Sequence, residues 1–301
     1  MKSENKKVLF IINKFSGVGY SPALEGKIIE TCTAQGLECH IEFTAAPGHA
    51  TELATSAKEN QFAMVFAVGG DGTVNEVAKG LVQGHIPMGI LPKGSGNGLA
   101  RHLGIPMNFI RSLSLLQSSQ VVNMDTFMFN GRQSVNVSGI GFDGHIAGLF
   151  GKNGKRGLVN YTRLVMSEYA RYQEFDCALT IDGKLFNRSA FMIAFANSSQ
   201  FGNNARVAPH ASVCDGWLDV SIIKKVPLTQ AMSFAYKLFN GKLEGSRFVE
   251  IIRARHIEIH FSKPMACHVD GETIPPAQDF EIAIVPHSLP MLVPGKIATQ
   301  V

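Results

Sequence analysis

A single carboxylate lies among glycines in residues 69–72, GGDG. This segment follows an apolar run, FAMVFAV, and precedes apolar residues at helical spacing, which predicts a helix from about Thr73. Glycines let backbone N–H groups approach a ligand closely, and the first turn of a helix presents more of them, which suits a polyphosphate. Asp71 would repel phosphate oxygens unless a divalent cation lay between them. The segment therefore predicts a Mg²⁺-nucleotide site, and a glycine turn in which Asp71 caps the helix is the alternative.

Two further loops also follow predicted strands, at residues 13–17 (NKFSG) and 92–98 (PKGSGNG). Open parallel sheets bind ligands beyond the carboxyl ends of their strands, so the three loops are expected along one edge. Side chains that could donate to phosphate or ribose oxygens there are Ser16, Ser95, Asn97 and, at the end of the second strand, Thr44. Each of these residues alone is typical of a turn or cap. None of the three loops has the Walker A or the G-x-G-x-x-G pattern, which argues against an ordinary dinucleotide dehydrogenase.

These loops require a sheet that brings the carboxyl ends of its strands to one edge. Short apolar or alternating runs predict strands, and amphipathic segments predict helices between them. The predicted strands are 7–12, 38–43, 62–68 and 87–91, and the predicted helices are near 23–35, 49–59 and 73–83. Strands that are apolar throughout are typical of a parallel sheet covered by helices on both faces. Residues 1–125 are therefore predicted to form an open, doubly wound α/β domain.

Residues 126–285 have a different pattern, with closely spaced strand candidates of which several are joined by Asp-Gly or Asn-Gly turns. This pattern is typical of a β-sandwich built mainly from antiparallel strands. Two predicted helices, at 157–173 and 228–239, interrupt it. Residues 286–301 leave the β region and are a candidate for completing the first domain.

The composition limits the class of protein. The 301 residues, 45% hydrophobic and 17% charged, suffice for two folded domains. The net charge of +4 is mild and no basic run resembles a nucleic-acid tail, so no nucleic-acid partner is expected. Five scattered cysteines indicate reduced thiols in a cytoplasmic protein. The N-terminal apolar run is too short for a signal peptide and no window is long enough to span a bilayer, so any membrane contact is expected to be peripheral.

Three motifs resemble the catalytic domain of the diacylglycerol kinase and sphingosine kinase family of lipid kinases: NKFSG at 13–17, GGDGTVNEV at 69–77 and LPKGSGNGLAR at 91–101. The resemblance extends over essentially the whole chain, because GIGFDG, CDGWLDV and VDGE follow in the family's order. It implies an NAD-kinase-like nucleotide-binding domain, a second β-sandwich domain and ATP-dependent phosphorylation of a lipid hydroxyl.

The resemblance also implies roles for single residues. The ATP contacts that it implies are Asn13, Lys14, Phe15, Ser16, Gly17, Thr44, Gly69, Gly70, Asp71, Gly72, Thr73, Asn75 and Ser95. Asn97 of the third loop is added to these predicted nucleotide-binding residues. Glu272 corresponds to the family's general base, with Asp270 beside it and Asp71 near the transferred phosphate. A carboxylate that accepts the proton of a lipid alcohol as the P–O bond forms suits this reaction. Without the resemblance, residues 270–272 would be predicted as a hairpin turn only.

Two more acidic residues each have two interpretations. The family's structural Mg²⁺ site, noted in bacterial members, corresponds to Asp215 with the carbonyls of Ser212 and Trp217. Taken alone, Asp215 followed by glycine is predicted to be just a turn. Asp143, in GIGFDG, either holds a lipid amine or hydroxyl, as the resemblance to sphingosine kinases implies, or caps the next helix.

The third loop departs from many bacterial diacylglycerol kinases, which have Asp directly after its Asn. This chain has Asn97-Gly98 instead, and its GSGN motif is closer to the corresponding motif of sphingosine and ceramide kinases. A metal network that uses that Asp is therefore expected to be altered here, and the lipid acceptor stays open.

The sequence is therefore interpreted as a cytoplasmic ATP- and Mg²⁺-dependent lipid kinase that associates transiently with the membrane surface, where its lipid substrate lies. The acceptor is predicted to be diacylglycerol, a sphingoid base, ceramide or a related lipid, and a homodimer is compatible with the sequence. One alternative is an NAD kinase, which shares GGDGT and a similar two-domain plan; the GSGN and NKFSG loops argue against it. The other is a nucleotide-binding regulatory protein without turnover, against which the presence of both Asp71 and Glu272 argues.

Overall fold

The computed structural model of the protein describes residues 6–17, 21–94, 96–152 and 158–295. The chain divides into two compact units. The first comprises the described parts of Met1–Asp125 and Pro286–Val301, and the second comprises those of Thr126–Val285.

The first unit is built on a parallel sheet. Its strands are β1 (Lys7–Ile12), β2 (Glu38–Phe43), β3 (Met64–Gly69), β4 (Met88–Pro92), and the last residues of a long strand, β14 (Glu272–Pro294). Their order is β14-β4-β3-β1-β2, and neighbouring strands run parallel. The inner strands β1, β3 and β4 are buried almost throughout, whereas β2 at the edge is partly exposed. This difference explains why the inner strands are continuous apolar runs and β2 alternates.

Helices occupy the connections between these strands. They are α1 (Pro22–Ala34), α2 (His49–Ser56), α3 (Asp71–Leu81), α4 (Gly98–His102) and α5 (Phe109–Ser112), followed by a 3₁₀ helix (Leu113–Leu116) and by β5 (Ser119–Phe129). Ser21 caps α1, because its Oγ accepts a hydrogen bond from Ala23 N at 3.3 Å, and Pro22 occupies the first helical position. The predicted α/β alternation is confirmed.

The second unit is mainly antiparallel. Its strands are the last residues of β5, then β6 (Arg132–Ser134), β7 (Val137–Gly141), β8 (Phe175–Ile181), β9 (Lys184–Ala190), β10 (Met192–Ala196), β11 (Leu218–Ile223), β12 (Val249–Ala254), β13 (His256–Val269) and the first part of β14. They are ordered β12-β11-β10-β7-β13-β14, with β8 pairing both β13 and β9. Antiparallel pairing is found for β5 with β6, β7 with β10 and β13, β8 with β9 and β13, β11 with β10 and β12, and β13 with β14, as the Asp-Gly and Asn-Gly turns predicted.

Aromatic side chains form the centre of the second unit's core. Phe129 packs edge-on against Phe195 and Phe280, each with ring centroids 5.6 Å apart. Phe261 packs against Phe280 at 5.7 Å. These rings come from different strands, so their contacts fix how the strands face one another.

The helices of the second unit correct the sequence prediction in number. Two were predicted, whereas the described residues contain three: α6 (Phe142–Lys152), α7 (Leu158–Tyr169) and α8 (Ala231–Phe239), with 3₁₀ helices at Leu228–Gln230 and Leu243–Gly245. The unpredicted helix α6 contains three glycines, which weaken a helical pattern. A Cβ atom at Gly144 would lie 2.6 Å from the backbone of Ala266 and Cys267, so α6 forms where its glycine packs closely on β13.

The structure also bears on the predicted free thiols and on the question of a membrane-spanning helix. All five cysteines are free, as predicted. Burial raises the pKa of Cys177 and of Cys267 to about 11. Within the described ranges, no helix combines the length and the apolar character needed to cross a bilayer.

Glycine 89 in β4 provides a test of the first core. Phe66 and Phe10 stack with ring centroids 5.2 Å apart, and a Cβ atom at Gly89 would overlap the Phe66 ring. We expect Gly89→Ala to lower the free energy of unfolding by about 1–3 kcal/mol through overpacking, measured by urea or thermal unfolding. Gly26→Ala is the matched control, because this exposed helical glycine has open space around it and should gain about 0.5–1 kcal/mol. Equal stability of Gly89→Ala and the native protein would contradict this packing.

Candidate functional site

The three loops predicted from the sequence meet in the first unit. They are the first loop (13–17), the second loop (69–72) and the third loop (92–98). Asn13 links the first loop to α3, since its Nδ2 donates to Thr73 Oγ1 at 3.2 Å. Asn13 Oδ1 also accepts the N–H of Phe15 at 2.9 Å, which shapes the loop itself.

The carboxylate of Asp71 joins the second and third loops. Its Oδ2 accepts the N–H of Asn97 at 2.8 Å, and its Oδ1 accepts the N–H of Gly98 at 2.7 Å. Asn97 has positive φ and lies at the amino end of α4, and its Nδ2 donates to Gly94 O at 2.7 Å. Asp71 therefore fixes the third loop. Because each carboxylate oxygen has more than one lone pair, this does not prevent it from facing a cation.

Lys93 is a cation that the sequence analysis did not select. Its Nζ donates to the carbonyl oxygen of Ser16 at 3.0 Å, and its N–H donates to Gly69 O at 2.7 Å, so it contacts both other loops. Desolvation lowers its pKa. A signal was available in the sequence, because Lys93 is the one basic residue of PKGSGNG.

Glycines allow the loops to approach this closely. A Cβ atom at Gly94 would lie 2.7 Å from Gly70 Cα, and one at Gly17 would overlap the carbonyl oxygen of Lys93. Gly17 also has φ of +68°, which side chains disfavour. At these positions any larger residue would push two loops apart.

The remaining predicted nucleotide contacts differ in exposure. Thr73 and Asn75 are buried in α3, and Thr73 accepts the hydrogen bond from Asn13 of the first loop. Phe15 is exposed, and Lys14 Nζ lies 3.7 Å from the centroid of the Phe43 ring. Thr44 extends the pairing of β2 with β1, because its N–H donates to Ile12 O. Gly72 lies in the first turn of α3, and Ser95 lies outside the described residues.

The arrangement suits an anionic ligand. The 11-residue helix α3 begins inside the cluster, and the amino end of a helix carries partial positive charge. Lys93 adds a full positive charge, and the glycines leave the backbone uncovered. The residues present therefore fit the phosphates of a nucleotide.

The second unit carries the predicted base on a tight turn. Asp270 and Gly271 both have positive φ, and Val269 pairs with Glu272 across them, which is a two-residue hairpin between β13 and β14. Glu272 is the first residue of β14 and is exposed. The carboxylate predicted as general base is therefore presented at the end of a rigid hairpin.

Asp270 has a structural position in this unit. Its carboxylate accepts three hydrogen bonds, from Ser134 Oγ at 2.6 Å, Val135 N at 2.9 Å and Asn136 N at 3.0 Å. The residue is buried, and its own N–H donates to Ser138 Oγ at 3.3 Å. The sequence grouped Asp270 with the catalytic residues. Its contacts anchor the turn that carries Glu272, and a catalytic role of Asp270 stays a prediction.

His268 is a second anchor of the same turn, and the sequence analysis missed it. Gly271 N–H donates to Nδ1 of His268 at 3.1 Å, so Nε2 is the nitrogen that carries hydrogen. Nε2 lies 3.2 Å from Oδ2 of Asp143, and both side chains are nearly buried, with 4% and 11% exposed. Asp143 therefore positions His268. A lipid amine, the alternative raised for Asp143, would have to compete with this histidine.

Asp215, the predicted metal ligand, is paired with an arginine. Its Oδ2 contacts the guanidinium of Arg253, and its Oδ1 accepts the N–H of Trp217 at 3.0 Å. The Ser212 hydroxyl accepts the N–H of Cys214. No cluster of three acidic, histidine or cysteine side chains suited to a metal occurs among the residues that the structure describes. Because Arg253 already supplies positive charge, Mg²⁺ would have to displace it, and the metal site stays a prediction.

Comparison with known proteins decides the family. Residues 7–129 match the family model of the diacylglycerol kinase catalytic domain. Residues 136–293, more than half of the chain, match the model of the YegS C-terminal NAD kinase beta sandwich-like domain. The chain belongs to the diacylglycerol kinase and YegS family of lipid kinases. The family predicted from the motifs is thereby confirmed.

Individual members of this lipid kinase family are similar over most of their length. A diacylglycerol kinase from Bacillus subtilis (strain 168) is 26% identical over 276 residues, which are 89% of this chain and 90% of that protein. A "Probable lipid kinase YegS-like" from Chromohalobacter salexigens is 28% identical over 262 residues, which are 84% of this chain and 83% of its own. The crystal structure of a diacylglycerol kinase from Bacillus anthracis str. Sterne covers 98% of this chain and 100% of its own, with a TM-score of 0.76 at 23% identity, so the fold is shared.

Substitutions at His268 test the anchoring of the turn. His268→Gln retains a donor toward Asp143 but removes the acceptor for Gly271 N–H, and His268→Asn does the converse. Each leaves a buried group unsatisfied, so each should lower the free energy of unfolding by about 1–3 kcal/mol. Hydrogen exchange of the Gly271 amide should accelerate in His268→Gln alone. The exposed His260→Asn, on the same strand, is the control. Unchanged Gly271 exchange in His268→Gln would refute this assignment.

Asp219, which lies near the predicted metal ligand Asp215, is predicted to make the stability of the folded protein depend on pH. It lines, with Asp215 and Arg253, a cleft of about 490 Å³, and it faces Arg253 across β11 and β12. Burial raises its pKa from 3.8 to about 6, and Arg253 opposes that rise. The folded protein therefore holds this proton more tightly than the unfolded chain, and stability falls as pH rises from about 4 through about 6.

Asp219→Asn removes the cost of ionising this buried group. At about pH 8 it should raise the free energy of unfolding by at most about 3 kcal/mol, and at about pH 3.5 the gain should vanish. Urea unfolding at both pH values measures the difference, with the exposed Asp279→Asn as control. A loss of stability at pH 8 would show that the ionised carboxylate is stabilising.

Proposed function

We propose that the protein transfers the γ-phosphoryl group of ATP to a hydroxyl of diacylglycerol or a related lipid, such as a sphingoid base or ceramide. The observation that carries the proposal is the meeting of three glycine loops and Lys93 at the amino end of α3. Membership of the lipid kinase family supports the reaction type, and the name of the Bacillus subtilis relative supports diacylglycerol as an acceptor to test first.

The first unit supplies the groups proposed to bind ATP. Backbone N–H groups of the second loop and of α3 would contact phosphate oxygens, and the ammonium of Lys93 would offset their charge. Asn97 Oδ1 is buried and accepts no hydrogen bond from any described residue, so it is a candidate acceptor for a ligand hydroxyl. Mg²⁺ bound with the nucleotide would neutralise charge on the phosphate oxygens, with Asp71 as the proposed protein carboxylate facing it.

The second unit supplies the proposed general base. As the lipid oxygen forms its bond to the γ-phosphorus, the bond from that phosphorus to the bridging oxygen of ADP breaks. The lipid hydroxyl proton passes to the carboxylate of Glu272. Asp270 and His268 are positioning residues in this scheme, because they hold the backbone of the turn and their own polar atoms are engaged.

Sphingoid bases and ceramide are proposed beside diacylglycerol as candidate acceptors, because the third loop departs from the pattern of many bacterial diacylglycerol kinases. Gly98 donates its N–H to Asp71 and has no side chain at the position where many bacterial diacylglycerol kinases carry Asp. The likeness to NAD kinases in the family comparison is limited to the description of the second unit, residues 136–293, so phosphorylation of NAD is retained only as an outcome of the assay.

A product assay tests the proposal. Protein, labelled ATP and Mg²⁺ are incubated with diacylglycerol, sphingosine or ceramide in mixed micelles, or with NAD, and the products are separated by thin-layer chromatography. A labelled phospholipid product is expected. Labelled NAD phosphate alone would favour an NAD kinase, and ATP binding without any product would favour a regulatory protein.

Variants in this assay separate chemistry from binding. Glu272→Gln should lower kcat by roughly 100-fold or more and leave ATP affinity unchanged, because only proton transfer is affected. Glu258→Gln, an exposed glutamate on the same hairpin, is the control. Gly94→Ala should instead weaken ATP binding by separating the second and third loops. Full activity of Glu272→Gln would exclude it as the base.

A further inference from the structure

The segment from Leu228 to Phe239 exposes a stripe of large apolar side chains. Phe234 and Leu238 pack against buried residues of the second unit. The opposite face leaves Leu228, Met232, Tyr236 and Phe239 more than half exposed, with Met232 at 84%. Spacings of four, four and three residues place these side chains along one side of the helical segment. The helix is thus apolar on two faces, of which only the first is covered by those residues of its own unit that the structure describes.

The chain around this stripe is strongly basic. Residues 224–248 contain five basic residues, Lys224, Lys225, Lys237, Lys242 and Arg247, and a single acidic residue, Glu244. The formal net charge of the entire chain is only +4, so this short stretch carries an excess as large as that of the whole protein. The Oε2 atom of Glu244 lies 3.5 Å from Nε2 of His210. An apolar stripe amid positive charge is complementary to an anionic, partly apolar surface.

A small cavity lies against the same helix. It has a volume of about 310 Å³ and is lined by Gln230, Ser233, Lys237 and Arg247, with Phe234 and Phe248 among its walls. Lys237 Nζ donates to Gly245 O at 2.6 Å, and the Arg247 guanidinium lies 5.0 Å from the Phe248 ring centroid. Lys237 and Arg247, with the donor side chains of Gln230, Ser233 and Ser246 and no carboxylate among the described lining residues, suit a small anion. Helical spacing places this cavity on the side of the helix away from the stripe.

We propose that the α8 surface, defined as the exposed stripe of Leu228, Met232, Tyr236 and Phe239, docks the protein on a bilayer that contains anionic phospholipid. The four apolar side chains enter the boundary between headgroups and acyl chains, and the basic residues that surround the helix in the sequence attract the anionic headgroups. The inference rests on the proposed function, because a lipid acceptor with long acyl chains resides in a membrane. Docking itself needs no ATP and is measured separately.

Vesicle binding tests the proposal. The intact protein is floated with vesicles of phosphatidylcholine alone or with about one-third phosphatidylglycerol, at low and at high salt. Binding should require the anionic lipid and weaken with salt. Equal binding to both vesicle types would overturn the headgroup assignment, and binding to neither would overturn the docking surface.

Substitutions locate the surface. The pair Met232→Glu and Phe239→Glu should lower binding by roughly tenfold or more, because two charges replace inserted apolar groups. Leu185→Glu is the matched control, since Leu185 is 66% exposed on β9 of the same unit and lies outside the stripe. Arg247→Gln should lower binding to anionic vesicles by roughly fivefold. Unchanged binding of the stripe variant would refute the proposal, and thermal melting verifies that each variant is folded.

Two further readouts separate this inference from its competitors. Light scattering compares the oligomeric state of the stripe variant and the native protein. Loss of a dimer with intact vesicle binding would assign the stripe to a second copy of the chain.

Kinase activity is then compared in micelles and on vesicles. The stripe variant should lose activity on vesicles only, whereas failure of the proposed function would abolish product in both while vesicle binding persists.

Discussion

Two hydrogen bonds to the carboxylate of Asp71 determine the geometry on which the candidate site of the first unit depends. They tie the backbone of Asn97 and Gly98 to the first residue of α3, and so bring two glycine loops together. A carboxylate accepting two backbone N–H groups is a strong, directional link. Lys93 then reaches the first loop across the same junction. If Asp71 were absent, the third loop would lose its fixed position and α4 its bonded amino end.

The second unit uses the same device for a different purpose. Asp270 accepts three hydrogen bonds from β6 and the residues that follow it, and His268 accepts one from Gly271. These contacts hold both sides of a two-residue turn and leave Glu272 exposed at its end. Buried polar groups that are fully paired specify one conformation of a loop. In both units, then, an aspartate that the motif suggested for chemistry serves to position the backbone of its neighbours.

Charge and apolar surface are distributed unevenly in the second unit. Its interior is aromatic around Phe129 and Phe280, whereas the α8 surface exposes apolar side chains within a basic stretch of the chain. Burying such a stripe inside the unit would have been favourable, so its exposure calls for a partner that covers it. A membrane that contains the proposed lipid acceptor would cover the stripe, which connects the proposed docking surface with the proposed reaction.

The sequence by itself determined the order of β1 to β4 with the helices α1 to α3 between them, the antiparallel character of the second unit, the three loops and the family. Those features follow from local patterns: apolar periodicity, glycine position and short motifs. The sequence did not predict α4, α5 or the part of β5 in the first unit. Tertiary structure alone decided the partners of Asp71, Asp270 and Asp143, which lie 26, 136 and 125 residues away in the chain. It also decided helix α6, whose glycines disfavour a helix until one of them packs on β13. A hydrogen bond depends on distance in space, and distance in space between remote residues exists only once the chain has folded.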